Sequence, residues 1–575
     1  MENKEFFKVL YQIADILEIQ NENVFRIRSY RKAGQALESV SFNIDRAARE
    51  NPDAISELSG IGSTIFSIIM EICQTGQCAE HQRLLAVVPL SLLEMSRLPG
   101  VGPKKVALFR DRGIRSLSEL AEAAQRHELR NLPGIGEKIE SRILKAIREQ
   151  EQTSGQFRIH EALAVAEQVI RHMQEAVNVA RISAAGSVRR WKETVADVDV
   201  LVASEDPLPV MSRFVDFPPA DQILARGETK SSIALSSGMQ VDLRVLPQPS
   251  FGAALQYFTG SKEHNVILRE RAKRMGFKVN EYGVFRISDE VQVAGAQEED
   301  VYRLLGLQFI PPELRENRGE IEAAQAEQLP RLVEESDIRG DLHMHTVASD
   351  GKNTVQEMAA AAQRLGYEYI AITDHSQSLA ITNGLNEERL LRHIDEIRNW
   401  QAANNSPVRV LAGSEVDILA DGSLDYPDSL LEQLDVVIAS IHSRFNMTAD
   451  EMTRRICRAI ENPHVDILAH PTGRLLLRRN SYPLDIDAVF ETARRSKTAL
   501  ELNSDVARLD LNDVHCYKAR TMGIPVVISS DAHQAKMLGA LRFGVHTARR
   551  GWLEPSDVLN ARPLPQLLEF LRRTL

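Results

Sequence analysis

Residues Asp197-Val198-Asp199-Val200 alternate acidic and aliphatic side chains, the period-two pattern of a half-buried strand. On such a strand Asp197 and Asp199 point to one side while Val198 and Val200 enter a core. Two carboxylates held side by side repel each other unless a divalent cation sits between them and the substrate. Upstream, Gly186-Ser187 with Arg189 and Arg190 supplies a tight turn, a hydroxyl and two guanidinium forks suited to a polyphosphate. A third carboxylate, Asp242, follows on another strand pattern, Met239-Gln240-Val241-Asp242-Leu243-Arg244-Val245. A lone D-x-D pair is most often a solvated strand face. Carboxylates beside phosphate donors are instead what a nucleotidyl-transfer site needs.

With these motifs the chain resembles the family X DNA polymerases, the group that includes polymerase beta. The next segment, Gln256-Tyr257-Phe258-Thr259-Gly260-Ser261-Lys262-Glu263-His264-Asn265 and then Leu268-Arg269, is similar to that family's nucleotide-contacting helix and steric gate. The resemblance implies that Asp197 and Asp199 hold two magnesium (or manganese) ions. Asp242 would complete the ion that activates the primer 3'-hydroxyl. Ser187 and Arg190 would bind the triphosphate, with Gly186 shaping the turn. Tyr257 and Phe258 would crowd the sugar, with Gly260 in the same gate. Asn265 would reach the base edge in the minor groove, and Arg269 the template.

At 575 residues the chain is too long for one core, so several domains are expected. No run of eighteen apolar residues suggests a membrane span, and the N-terminus does not read as a signal peptide. The expected location is therefore cytoplasmic, and the family resemblance implies a bacterial, nucleoid-associated setting. Cys73, Cys78, Cys457 and Cys516 are scattered, which indicates neither a disulfide framework nor a thiolate zinc site. The net charge of -11 is unusual for a DNA-binding protein, but total charge says little about local patches. Lys262, Arg269, Arg271, Lys273, Arg274 and Lys278 crowd one short stretch, a candidate basic groove.

Residues 1 to about 150 read as short amphipathic helices, in which one phrase recurs: Leu58-Ser59-Gly60-Ile61-Gly62, Leu98-Pro99-Gly100-Val101-Gly102 and Leu132-Pro133-Gly134-Ile135-Gly136. Each phrase joins two helical patterns. Its glycines allow a tight turn whose amides, at a helix N-terminus, can hold a DNA phosphate without reading sequence. The phrase resembles the helix-hairpin-helix motif. One copy could be a plain helix-helix turn; three upstream of a polymerase-like palm favour DNA binding.

Ten of the fifteen histidines lie beyond residue 340. There, short apolar runs alternate with helical segments, the rhythm of a parallel α/β barrel. Candidate ligands come at the ends of these runs: His343, His345, Asp350, His375, Glu415, His442, His470, Asp531 and His533. Ligands at the C-terminal ends of barrel strands converge on one mouth. Nine exceed the needs of one ion, so two or three zinc, manganese or iron ions are expected, serving phosphoester hydrolysis. The arrangement resembles the PHP (polymerase and histidinol phosphatase) domain, and all nine positions that the resemblance implies are filled. His393, His464, His515 and His546 read as packed or surface residues, and Asp374 as a candidate to orient a ligand.

The expected chain is a multidomain α/β protein with six parts. They are a helical DNA-binding domain with one hairpin (1–85), a region with two more (86–150), and a nucleotidyltransferase-type α+β palm (151–245). A thumb-like nucleotide-selecting subdomain (246–315), a polar helical linker (316–337) and a distorted (β/α)7 PHP barrel (338–575) complete it. The resemblance implies a DNA-directed DNA polymerase that fills short gaps in repair, with 3'-5' exonuclease or related trimming by the PHP site. The expected partners are gapped or primer-template DNA and dNTPs, with no membrane, the chain acting as a monomer. The alternative is a DNA-bound scaffold with a vestigial polymerase site and only PHP phosphatase activity. One departure stands out: the family's lyase-active members carry a Schiff-base lysine where this sequence has Ile68, and no lysine occurs between Lys32 and Lys104.

Overall fold

The computed structural model describes residues 3–38, 40, 44–96, 98, 100–153, 155–176, 179–379 and 382–571. The chain forms two compact units, Met1–Ser154 and Gly155–Leu575.

The first unit is helical. Among the described residues, ten helices from Asn3–Ile19 to Glu137–Thr153, with one 3-10 turn, surround an apolar cluster that runs from Phe6 to Ile147. The division expected at residue 85 therefore does not interrupt the core: Leu84, Val88, Leu92 and Val106 belong to the same cluster. The three glycine phrases fold alike. Ile61, Val101 and Ile135 are buried, and their amides donate to Leu58, Leu98 and Leu132 carbonyls at 3.0, 2.9 and 3.0 Å. The preceding Gly60, Gly100 and Gly134 have φ of 105, 81 and 74°, a region that L side chains rarely adopt. A Cβ on Gly62, Gly100, Gly102, Gly134 or Gly136 would meet nothing within 4 Å, so these backbones face open space. The middle residue anchors each turn in the core while its amides stay accessible at the next helix.

In the second unit, β1 (Phe157–Arg158) pairs with β3 (Thr194–Val195) beside a five-stranded sheet. That sheet contains β2 (Arg181–Ala184), β4 (Asp197–Ala203), β5 (Ala220–Arg226), β6 (Lys230–Leu235) and β7 (Gln240–Leu246) in the order β2-β4-β7-β6-β5. Only β4 and β7 are parallel. Val198, Val200 and Val202 enter the core beneath, as the alternation predicts. A three-stranded antiparallel sheet, β8 (Phe277–Asn280), β9 (Gly283–Arg286) and β10 (Gln292–Ala294), follows the helices Phe251–Thr259 and Lys262–Arg274.

The stretch expected to be a linker is instead built into the fold. Ile321, Ala324 and Leu332 share a core with Leu268, Tyr302 and Trp552. Within it Glu320 is buried 2.7 Å from His264, and just before it the fully buried Arg315 pairs with Glu298 at 2.5 Å. Charges removed from water persist only when paired in this way.

The remaining strands are β11 (Gly340–Asp341), β12 (Tyr369–Ile372), β13 (Arg409–Asp417), β14 (Val436–Ser440), β15 (Ile467–Leu468), β16 (Ala499–Asn503) and β17 (Val526–Ser529). They pair in sequential order and all in parallel. A parallel bridge between Met344 and Ala532, just past β11 and β17, brings the two edges together. Tyr369, Leu411, Ile438, Ile467 and Val527 fill the interior with Leu567 and Leu568 of the C-terminal helix. Their neighbours Ile370, Val410, Val437 and Ile528 pack outward against the surrounding helices. The seven-stranded barrel expected from the sequence is present.

Candidate functional site

The parallel register of β4 and β7 sets Asp199 directly opposite Asp242, with Asp197 two residues away on the same face. Burial pushes the Asp199 carboxyl up to about 6, helped by the neighbouring charges of Asp197 and Asp242. Asp197 is raised for the same reasons, burial first and then Asp242. Asp242 goes the other way: against burial, Lys230 at 2.8 Å and Gln240 at 2.8 Å hold its carboxylate below the usual range. Three crowded carboxylates, two of them reluctant to ionise without a cation, fit the chemistry of a divalent-ion site.

Gly186 packs against this group. At φ 59°, a Cβ there would lie 2.4 Å from Asp199 Oδ2, so no other residue lets the turn approach the carboxylate this closely. Ser187 is half-buried on the same turn. Arg189 and Arg190 separate in role. Arg189 is committed inward, paired to Glu298 at 2.7 Å and hydrogen-bonded to Thr259 at 2.7 Å. Arg190 Nε donates to Glu316 at 3.0 Å and its Nη1 to the Thr259 carbonyl at 2.5 Å, while Nη2 has no partner among the described residues. Gly260 lies over it: a Cβ there would be 3.1 Å from Arg190 Nη1.

The aromatic pair of the expected gate is edge-to-face, Tyr257 on Phe258 with centroids 5.1 Å apart, and Arg244 of β7 lies 4.4 Å over the Phe258 ring. Asn265 is buried, its Oδ1 accepting from Gln256 at 2.7 Å and its Nδ2 donating to the Tyr257 carbonyl at 2.7 Å. In this arrangement the Asn265 amide holds the gate helix, and a base edge would be met by its second Nδ2 hydrogen or second Oδ1 lone pair. Arg269 is exposed. Within the basic stretch, Arg271 is turned inward, to the Leu305 carbonyl at 2.8 Å and Gln325 at 2.6 Å; Lys262, Lys273, Arg274 and Lys278 stay exposed.

At the C-terminal mouth of the barrel, all nine expected ligands converge. Three overlapping groups could each hold an ion: His345, Asp350, His375 and His533; His343, His345 and Glu415; His375, Glu415 and His442. Glu415 is the hub. Its carboxylate lies 3.4 Å from His343, 3.6 Å from His345, 2.9 Å from His375, 3.3 Å from His442 and 3.0 Å from His470. Asp531 lies 3.2 Å from His345 and 3.7 Å from His343. Against burial, the ring of imidazoles holds the Glu415 carboxylate well below the usual range. Burial, then His375 and His533, push His345 down to about 4, which keeps it neutral as a ligand must be. Imidazole nitrogens of His343, His345, His375 and His470 are buried without a hydrogen-bond partner. Among the described residues, the orphaned nitrogens of His343, His345 and His375 lie beside the Glu415 and Asp350 carboxylates, an arrangement that fits a metal cluster.

Sequence reasoning missed the residues that hold these candidate ligands. Glu501 of β16 accepts from His343 Nδ1 at 2.6 Å and from the His470 amide at 2.6 Å. Asp417 lies 2.9 Å from His442 Nδ1. Each carries a signal in hindsight: Glu501 interrupts the apolar run Ala499-Leu500-Glu501-Leu502, and Asp417 stands two residues after Glu415 on one strand face. Asp374 supports a loop rather than an imidazole ligand, taking the Thr346 amide at 2.8 Å and the Ser349 hydroxyl at 2.5 Å between His345 and Asp350. His393, packed as expected, lies 2.9 Å from Asp374. His546 is packed too, stacked on Trp191 at 3.5 Å.

Comparison with known proteins covers the same ground. Residues 254–316 match a family described as DNA polymerase beta thumb, and residues 341–504 match the PHP domain. Residues 1–78 match a helix-hairpin-helix domain and residues 92–149 a SAM-like helix-hairpin-helix tandem. The DNA polymerase/3'-5' exonuclease PolX of Bacillus subtilis (strain 168) is 41% identical over 576 residues, covering 100% of each chain. A probable phosphatase of Syntrophotalea carbinolica is 31% identical over 242 residues, 40% of this chain and 95% of that protein. One of Shewanella sediminis is 32% identical over 243 residues, 40% and 93%. The chain belongs to the family X DNA polymerases of the PolX type, in which a polymerase core continues into a PHP domain.

Proposed function

We propose that this chain is a DNA-directed DNA polymerase that fills short gaps during repair and trims 3' ends with its PHP site. One observation carries the polymerase reading: Asp199 and Asp242 are registered neighbours, with a glycine turn pressed against Asp199. Asp197, Asp199 and Asp242 would hold magnesium or manganese. Ions bound there acidify the primer hydroxyl and neutralise the triphosphate. The protein's own part is positioning. Arg190 offers Nη2 and Ser187 its hydroxyl to the triphosphate, and Tyr257, Phe258 and Gly260 wall the sugar. The hairpin amides at Gly60, Gly62, Gly100, Gly102, Gly134 and Gly136, with Arg269, hold the DNA backbone and template.

In the barrel, the nine ligands would hold two or three zinc, manganese or iron ions. Such ions generate hydroxide at neutral pH and polarise a phosphoester. Glu501 and Asp417 fix the tautomers of His343 and His442 so that the other ring nitrogen faces the cluster. Asp417→Asn is expected to weaken metal binding roughly 10- to 100-fold, the usual scale for such supporting carboxylates, as read by metal titration. Unchanged affinity would remove Asp417 from that role.

A monomer in the cytoplasm, at the nucleoid, fits this reading; no helix among the described residues is long and apolar enough to cross a membrane. Extension of a gapped duplex and degradation of a labelled 3' end, measured on one preparation, test the proposal. Extension without degradation would leave the PHP half to the second reading, hydrolysis of small phosphoesters, which its likeness to the probable phosphatases favours. Degradation without extension would leave the palm vestigial.

We also infer weak or absent deoxyribose-phosphate lyase activity. Ile68 is buried on the helix Ser63–Thr75 and supplies no amine. Only a deprotonated amine forms the imine with the sugar aldehyde. Lys32, from the helix Val24–Glu38, lies with its stem along Gly60. Borohydride treatment of an incised abasic duplex should therefore trap little protein. A strong adduct within residues 1–90 would contradict this, and its loss in Lys32→Ala would name the nucleophile.

A further inference from the structure

The turn that carries the triphosphate candidates is seated on the PHP half of the chain. Trp191 stacks on His546 with planes 3° apart, and Glu193 takes Arg474 through both carboxylate oxygens at 2.9 and 2.6 Å. Arg550, the last residue of the helix Leu541–Arg550, is buried at the same junction. Its Nη1 donates to the Arg190 carbonyl at 2.6 Å and to Glu316 Oε1 at 3.0 Å. Its Nη2 pairs with Asp513 at 2.8 Å, which also takes Arg318 at 3.0 Å.

Glu316 is thus shared between two guanidinium groups, Arg550 and Arg190. With Arg550 in place, the carboxylate meets Arg190 only along its Nε edge. The second bond of Arg190, from Nη1 to the Thr259 carbonyl, then fixes the plane of the fork. Nη2 is left without a partner among the described residues. Without Arg550, Glu316 has no competing cation on that oxygen and is free to take Arg190 as a two-pronged pair, the preferred geometry of arginine with a carboxylate. The fork would then turn from the substrate. An arginine already immobilised also spares the rotamer entropy that binding would otherwise cost.

We propose that Arg550, contributed by the PHP half, is a positioning residue for nucleotide binding in the polymerase half. It pins the Arg190 backbone and the Glu316 carboxylate so that Arg190 Nη2 faces the triphosphate of the incoming dNTP. This rests on the assignment of Arg190 as a triphosphate ligand. It also gives the fusion of the two halves a consequence for synthesis itself.

The test uses the full chain and single-nucleotide gap filling. Arg550→Gln is expected to raise KM for dNTP roughly tenfold while kcat changes much less, because binding geometry rather than the reacting atoms is disturbed. Glu316→Gln, which leaves every PHP side chain in place, should do the same. Arg550→Lys, which can keep one of the two Nη1 contacts, should recover part of the loss. Arg549→Gln breaks a neighbouring ion pair to Glu313 at the same junction and should leave KM unchanged. Degradation of a labelled end by each variant reports that the PHP half is intact. A wild-type KM in folded Arg550→Gln or Glu316→Gln overturns the proposal. So does an equal rise in Arg549→Gln, which would mean general loosening of the junction. Arg190→Gln separates the two layers: a wild-type KM there removes the triphosphate assignment itself.

Discussion

Asp199→Asn is expected to lower nucleotide incorporation by roughly three orders of magnitude or more, the scale on which loss of one member of a catalytic constellation acts. The substitution keeps the shape of the side chain and removes only its charge. Val198 and Val200 still fill the core on the other face of β4, and Gly186 still closes on the same group. Nothing in the fold depends on ionisation of Asp199, whose carboxyl already resists it because of burial and the charges of Asp197 and Asp242. The neutral amide relieves that repulsion, so the thermal midpoint without divalent ions should hold steady or rise. Degradation of a labelled 3' end should proceed as in the wild type, since Asp199 touches none of the barrel ligands. Extension of a gapped duplex within a few-fold of wild type would remove Asp199 from the catalytic role. A collapse of both activities together would instead point to a folding defect.

Much of both sites was legible because local periodicity carries them. Asp197 and Asp199 alternate with valines on one strand, and the barrel ligands stand where apolar runs end, as strand geometry requires. Less legible were contacts between residues far apart in the chain. Nothing near Trp191 predicts that it stacks on His546, or near Arg190 that its carbonyl is held by Arg550. The stretch 316–337, expected to be a linker, packs into a core for a related reason. Its many Glu, Gln and Arg residues resemble a solvated segment, yet Glu320 is buried on His264, and just before it Glu313 and Arg315 are buried against Arg549 and Glu298 from elsewhere. Composition reports the charges and is blind to their partners. The Asn265 amide shows a further limit: a motif names the residue, but only packing shows that Gln256 and the Tyr257 carbonyl already occupy it.

Glu415→Gln is the corresponding experiment for the barrel. Five imidazoles approach this one buried carboxylate, and it belongs to two of the three candidate ion groups. Three of those histidines can lose this contact and keep another: His343 retains Glu501, His442 retains Asp417, and His345 retains Asp531. Removing Glu415 cancels the only negative charge common to the set. A carboxamide is a poor ligand for a transition metal beside imidazoles, and cations repel one another without an anion between them. Purified Glu415→Gln should therefore carry at least one ion fewer per chain than the wild type by elemental analysis, and end degradation should be lost. Gap filling should persist, because Glu415 lies in the barrel and the palm carboxylates are separate. Wild-type metal content together with wild-type degradation would show that Glu415 is not the bridging group. Lost degradation at full metal content would move its role from holding the ions to acting on the substrate.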